Sequence, residues 1–177
     1  MSLVVFTIAV IFGLMLAETR LSNQNQARLI EQGASVPAGD VFPLMAITYP
    51  LAFLAMGAEG LWWPPASSGT GPDWFAAGLL LFVVSKALKY WAIGTLGERW
   101  SFRVMVLPGA PLVHDGPYRY VTHPNYIAVV GELAGAAMMM RARITGPIMS
   151  VVFGCVLLAR VRFENRVLEA IRRGQSS

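Results

Sequence analysis

The chain has 177 residues, 55% of them apolar and only 14% charged, with a formal charge of +4. A chain of this length makes one domain, and a soluble core of that size could not hide so much apolar surface. The arginines flank apolar segments and form no basic stripe, so they read as membrane-orienting charges and imply no nucleic-acid partner. The single cysteine, Cys155, excludes an intramolecular disulfide and, set in an apolar run, reads as a small buried hydrophobe.

Five apolar segments follow in order, predicting an all-α, polytopic membrane protein with about five transmembrane helices. The first spans about 3–17; no basic region precedes it and no small-residue cleavage site follows, so it reads as a membrane helix rather than a cleaved signal. The polar stretch at 18–39 then either continues that helix or lies at the interface. The second segment covers 42–63 and carries Glu59, near enough to its outer end to reach water. The third covers 74–93, with Lys86 and Lys89 near its far end, where they can snorkel to the interface. Segments at 126–140 and 144–159 are short and separated by Arg141-Ala142-Arg143 and a Thr-Gly-Pro turn, which predicts a tight helical hairpin of limited depth. A C-terminal helix continues the last segment beyond the bilayer. The whole of 1–177 reads as one membrane-embedded domain, with spanning helices in 1–93 and the cofactor-binding and catalytic core in 94–177.

The basic residues orient these segments. With the N-terminus outside, the cytoplasmic stretches hold Arg20 and Arg28, then Arg99, Arg103 and Arg119, then Arg160, Arg162, Arg166, Arg172 and Arg173. These are ten of the fourteen Lys and Arg residues, whereas the linker at 64–73 has none. The expected location is a multi-pass protein of a bacterial inner membrane with its active face toward the cytoplasm.

Two constellations carry chemistry on that face. Residues 116–126, Gly-Pro-Tyr-Arg-Tyr-Val-Thr-His-Pro-Asn-Tyr, crowd Tyr118, Tyr120, His123 and Tyr126 just before a helix. Pro124 suits the first turn of that helix, whose free N–H groups would face an anionic group such as a carboxylate. The tyrosines could stack on an adenine or attract a sulfonium, although Tyr also gathers at membrane interfaces. The second constellation is Arg160 and Glu164, four apart on one helix face and able to pair. Glu132, an ionisable group at membrane depth, is a further site candidate by default. Two histidines and one cysteine make a protein-ligated metal improbable. No G-x-G-x-x-G follows a strand, which excludes a Rossmann-type methyltransferase.

Together, the 116–126 motif, a Glu in the next helix and Arg160-x-x-x-Glu164 resemble the isoprenylcysteine carboxyl methyltransferase family. The stretches at 96–101 (Leu-Gly-Glu-Arg-Trp-Ser) and 106–113 are similar to its short bacterial branch. The resemblance covers about residues 80–172. It implies S-adenosyl-L-methionine as cofactor, bound by His123, Tyr126, Tyr118 and Tyr120 with Pro124 shaping the loop and Glu132 contributing. Arg160 and Glu164 would then be catalytic, holding the reacting group of a lipophilic small molecule or prenylated cysteine that enters from the bilayer lipid. A carboxylate acceptor would need only Arg160; a phenol or enol would need a base, Glu164 or His123. Alternatives implied by the wider group are an alkylpyrone or alkylresorcinol O-methyltransferase, a phospholipid N-methyltransferase and a membrane NADPH-dependent reductase. The chain departs from the family pattern twice, with Thr122 where Arg usually precedes His-Pro and Asn165 where a second Glu often follows Glu164.

Overall fold

A computed structural model describes residues 2–63, 73–111 and 113–175. Five α-helices account for the architecture: α1 (Ser2–Glu31), α2 (Phe42–Trp62), α3 (Trp74–Leu96), α4 (Pro124–Met140) and α5 (Thr145–Gln175). The protein is an all-α, polytopic membrane protein, as the apolar segments predict. Four of the helices are long and apolar enough to cross a membrane: α1, α2, α3 and α5. At 17 residues, α4 is about 26 Å long and falls just short of a full span. The basic-free linker at 64–73 lies, apart from Asp73, outside the described residues.

The polar stretch after residue 17 continues α1 without a break to Glu31. Glu18, Ser22 and Asn25 recur at helical spacing and are all buried, so this end of α1 turns a polar stripe inward. Asn25 Nδ2 donates to the carbonyls of Gly97 and Trp100, at 3.2 and 2.9 Å. Ser22 Oγ accepts from the Phe102 amide at 2.8 Å. The α3–α4 connection is thereby strapped against α1. Ser35 in the α1–α2 connection also pairs with Val106 by two backbone hydrogen bonds.

Helices α3 and α4 approach until their backbones touch. A Cβ added at Gly78 would meet the Gly135 carbonyl at 2.6 Å, and one at Gly135 would meet the Gly78 carbonyl at 2.7 Å. Gly131 and Gly135 form the small-x-x-x-small spacing that permits such contact between membrane helices. The core beside this seam is built from Phe53, Met56, Leu133, Met140 and Phe153. Leu80, Val84, Ile127 and Val151 point outward from the bundle, as lipid-facing residues do. Cys155 belongs to this exposed surface, contrary to the buried position expected of it, because it shares the outward face of α5 with Val151 and Leu158.

Two further expectations are corrected. Lys86 and Lys89 do not snorkel to an interface; they are buried, because Glu18 of α1 and Glu132 of α4 supply counter-charges between the helices. Lys86 Nζ lies 2.6 Å from Glu18 and 3.0 Å from Glu132, and Lys89 Nζ lies 2.7 and 3.3 Å from the same two carboxylates. Tyr49 Oη of α2 donates to Glu132 at 2.6 Å. Glu59, in turn, caps α5 rather than simply reaching water. It accepts from the backbone amides of Ile144 and Thr145 and from the Thr145 hydroxyl, neutralising the positive end of that helix. The Thr145-Gly146-Pro147 sequence is thus the first turn of α5, and the hairpin itself closes on Arg141 in the left-handed region.

Candidate functional site

Six of the eight chemistry-bearing residues singled out in the sequence collect at one end of the bundle, where the α1–α2 and α3–α4 connections fold over α4 and α5. Pro117 buries itself in a short 3-10 turn at Gly116–Arg119. Gly116, at φ 55°, lets this turn lie on α3: a Cβ there would fall 2.3 Å from Thr95 Oγ1. The chain then reaches His123 as the N-cap of α4, with Pro124 at the first helical position. No side chain caps this terminus; the Tyr126 amide turns back to the His123 carbonyl at 3.1 Å, which leaves the Asn125 amide available among the described residues.

A cavity of about 580 Å³ opens at this end, within the range of pockets that enclose a cofactor or drug-sized ligand. Tyr118, His123, Pro124, Tyr126, Arg160 and Glu164 all line it. Of the eight site residues expected from the sequence, two do not. Tyr120 points to the exterior at 74% exposure. Glu132 lies among the buried charges, against Lys89 and Tyr49, and it is those two side chains that reach the cavity wall.

Around Tyr126 the geometry is specific. Its hydroxyl accepts from Arg160 Nε at 3.1 Å and donates to Glu164 Oε2 through a short bond. Arg160 and Glu164 therefore meet at this hydroxyl, not in the direct ion pair that their spacing suggested. The reason is that the guanidinium is turned toward other partners. Nη1 pairs with Asp40 Oδ1 and Nη2 donates to the Phe102 carbonyl at 2.8 Å. His123 stacks on Tyr126 with ring centroids 5.2 Å apart, and its Nδ1 lies 3.8 Å from Glu164 Oε2. Nε2 of the same ring is 2.9 Å from Asn165 Oδ1. Asn165 thus has a role that a carboxylate in its place would perform with added charge: it orients the histidine.

Burial, and after it the Glu164 carboxylate, push the Tyr118 phenol above its usual range, so it is a neutral donor at physiological pH. Asn125 Oδ1 is buried at the cavity with no hydrogen-bond partner among the described residues. Such an acceptor calls for a donor from whatever occupies the space. The aromatic faces of His123, Tyr126 and Tyr118, the open α4 N-terminus and the unpartnered amide together fit a cofactor that carries an adenine amine, a carboxylate and a sulfonium.

Several lining residues carried no signal in the sequence. Phe42, Met45 and Tyr49 reach the cavity from α2, and Arg103 and Met105 from the α3–α4 connection. Pro50 also lines it and, having no N–H, cannot donate to the carbonyl of Ala46 one turn earlier on the same wall. The cavity thus draws on both halves of the chain. Among the described residues no cluster of three metal-binding side chains occurs.

The family model described as the isoprenylcysteine carboxyl methyltransferase family matches residues 78–170. Two curated bacterial proteins are similar to the chain. One is the uncharacterized protein YpbQ of Bacillus subtilis, 28% identical over 162 residues that cover 92% of this chain and 94% of that protein. The other is an uncharacterized protein of Haemophilus influenzae, 25% identical over 92 residues that cover 51% of this chain and 54% of that protein. No solved structure matches the chain.

Proposed function

The chain belongs to the isoprenylcysteine carboxyl methyltransferase family, and we propose on that premise that it is an S-adenosyl-L-methionine-dependent O-methyltransferase acting on a lipophilic acceptor. The observation that carries this reading is the Tyr126 hydroxyl, held between Arg160 and Glu164 at the wall of the cavity. Because Arg160 occupies the hydroxyl as donor, the Tyr126 proton is directed to Glu164 Oε2. Glu164 Oε1 would then face the acceptor. His123, Tyr126 and Asn125 would hold the cofactor, which supplies an electrophilic methyl group on sulfur. The chain's share of the chemistry is alignment, which fixes nucleophile, methyl carbon and leaving sulfur in line.

The charge balance favours a neutral hydroxyl acceptor, a phenol or enol, over a carboxylate. Asp40 already neutralises Arg160, so Glu164 is the uncompensated charge at the reacting end. A carboxylate brought beside it would be repelled, whereas a hydroxyl can give it a proton as the new O–C bond forms. A prenylated-cysteine carboxylate is the second reading. It is supported by Arg103, which lines the same cavity stacked on Phe42 and has no carboxylate partner among the described residues. Basic residues concentrated at the cavity end support placing it on the cytoplasmic side of a bacterial inner membrane, where a soluble cofactor and a bilayer-borne acceptor can both arrive.

The test is to incubate membranes containing the protein with a labelled methyl donor and to identify the labelled lipid or peptide. A methyl ether or ester on a lipophilic product is expected. Label on a lipid amine would move the reading to N-methylation, and NADPH binding in place of S-adenosylhomocysteine would move it to a reductase. Glu164→Gln should lower turnover by two orders of magnitude or more while cofactor affinity stays near normal. Near-normal turnover in that variant removes Glu164 from the mechanism.

A further inference from the structure

We infer that Asp40 is a positioning residue of the reaction, acting through Arg160 to keep the Tyr126 proton aimed at Glu164 and that carboxylate free to face the acceptor. This rests on the methyl-transfer reading of the same site. Asp40 lies in the α1–α2 connection, outside the residues that the family model spans, and 120 positions from the arginine it meets.

The chain is folded to bring it there. Gly39, at φ 88°, turns the backbone against α5, where an added Cβ would lie 3.5 Å from the Phe163 ring. Phe163 and Arg160 share a face of α5, so the turn that packs on one delivers Asp40 to the other. The Phe42 amide donates to Asp40 Oδ1 at 3.0 Å and holds the carboxylate at the start of α2. The Arg160 and Asp40 side chains are 4% and 8% exposed, so water screens neither.

Two consequences follow for the reacting end. Anchored at Nη1 by Asp40 and at Nη2 by the Phe102 carbonyl, the guanidinium is left with Nε to present to Tyr126. That geometry obliges the hydroxyl to accept from Arg160 and donate to Glu164. Asp40 also cancels a positive charge one helical turn from Glu164. An uncompensated Arg160 at that range would draw the Glu164 carboxylate into a direct ion pair, away from the acceptor. The other groups facing Glu164 are His123 and Tyr126 from α4 and Tyr118 from the 3-10 turn. Arg103 and His114 lie elsewhere on the cavity wall. Of these, Tyr126 is reached from residue 40 through Arg160, and Arg103 through Phe42, on whose ring it stacks.

The experiment compares Asp40→Asn and Asp40→Glu with wild type in detergent, following methyl transfer against pH and S-adenosylhomocysteine binding by calorimetry. Asp40→Asn should lose at least tenfold in kcat and move the acid limb of its pH profile to lower pH. S-adenosylhomocysteine affinity should change less than threefold, and Asp40→Glu should restore the wild-type limb. A lowered kcat with an unmoved limb overturns the inference, as does unchanged kcat. If Asp40→Asn does not fold, Arg160→Gln is compared with Asp40→Asn/Arg160→Gln. Equal turnover supports action through Arg160, and a further loss in the double variant overturns it. Wild-type protein that binds S-adenosylhomocysteine but methylates no hydroxyl acceptor refutes the acceptor reading. In that case the calorimetric pH dependence of wild type against Asp40→Asn still tests the link to Glu164, with an unchanged dependence overturning it.

Discussion

Glu132→Gln tests what the buried charges do. Two lysines and two glutamates of α1, α3 and α4 lie within 2.6–3.3 Å of one another, each almost fully buried. The set is electrically balanced. Glutamine keeps the shape and can still accept from Tyr49, but it leaves two ammonium groups facing Glu18 alone. Removing one partner of a buried pair typically costs about 3–5 kcal/mol, since the remaining charge stays desolvated. Lys89→Met/Glu132→Gln removes one charge of each sign and leaves the 2.6 Å Lys86–Glu18 pair intact. It should recover most of that loss, as neutral replacement of buried pairs commonly does. The assay is equilibrium unfolding in mixed micelles, with S-adenosylhomocysteine affinity measured on the folded fraction. The reasoning is refuted if Glu132→Gln unfolds within about 1 kcal/mol of wild type or if the double variant is no better than the single one. Loss of cofactor affinity at unchanged stability would instead return Glu132 to the cofactor role that its position in the sequence suggested.

Other outcomes follow from single contacts. Glu59→Ala, which strips the cap from α5, should cost about 0.5–2 kcal/mol in the same unfolding assay and leave kcat unchanged, since the cap lies at the end of the bundle away from the cavity. Gly135→Ala should separate α3 from α4, because the added Cβ meets the Phe82 amide at 2.9 Å as well as the Gly78 carbonyl. A large fall in unfolding free energy is expected, with no rescue by Ser85→Ala, because the Ser85 hydroxyl faces Gly131 and not Gly135. Tyr118 has a raised phenol in the folded protein. Its contribution to stability is therefore complete below the ordinary phenol value of about 10 and is lost as pH rises beyond it. Tyr118→Phe should flatten the alkaline end of a stability–pH curve, and an unchanged slope above pH 10 would count against it.

The membrane helices were legible because hydropathy is a local property. Each apolar segment became a helix, and even the hairpin could be read from its short connection. The 116–126 motif was legible for the same reason, since Gly116, Pro117 and Pro124 dictate their own turn. Pairings across the chain were not. Nothing near Asp40 announces Arg160, and nothing near Glu18 announces Lys86, because an ion pair is written in two places far apart. Lys86 and Lys89 were read by their nearness to a helix end, a rule that fails once counter-charges wait on neighbouring helices. Arg160 and Glu164 have the spacing of a pair, yet a stronger competitor from another element takes the guanidinium. The Gly131 and Gly135 spacing lay in plain view and could have given the α3–α4 seam.

The inward polar stripe of α1 has a consequence for how the protein is made. Glu18 lies on α1, which leaves the ribosome before α3, and its two ammonium partners follow 68 and 71 residues later. Until α3 has been synthesised and inserted, that carboxylate lacks both of the ammonium groups that meet it in the bundle, and an unpaired charge is costly in lipid. α1 must therefore wait at the aqueous boundary or within the insertion machinery. Its final depth is set late in biosynthesis, when the lysines arrive to claim it.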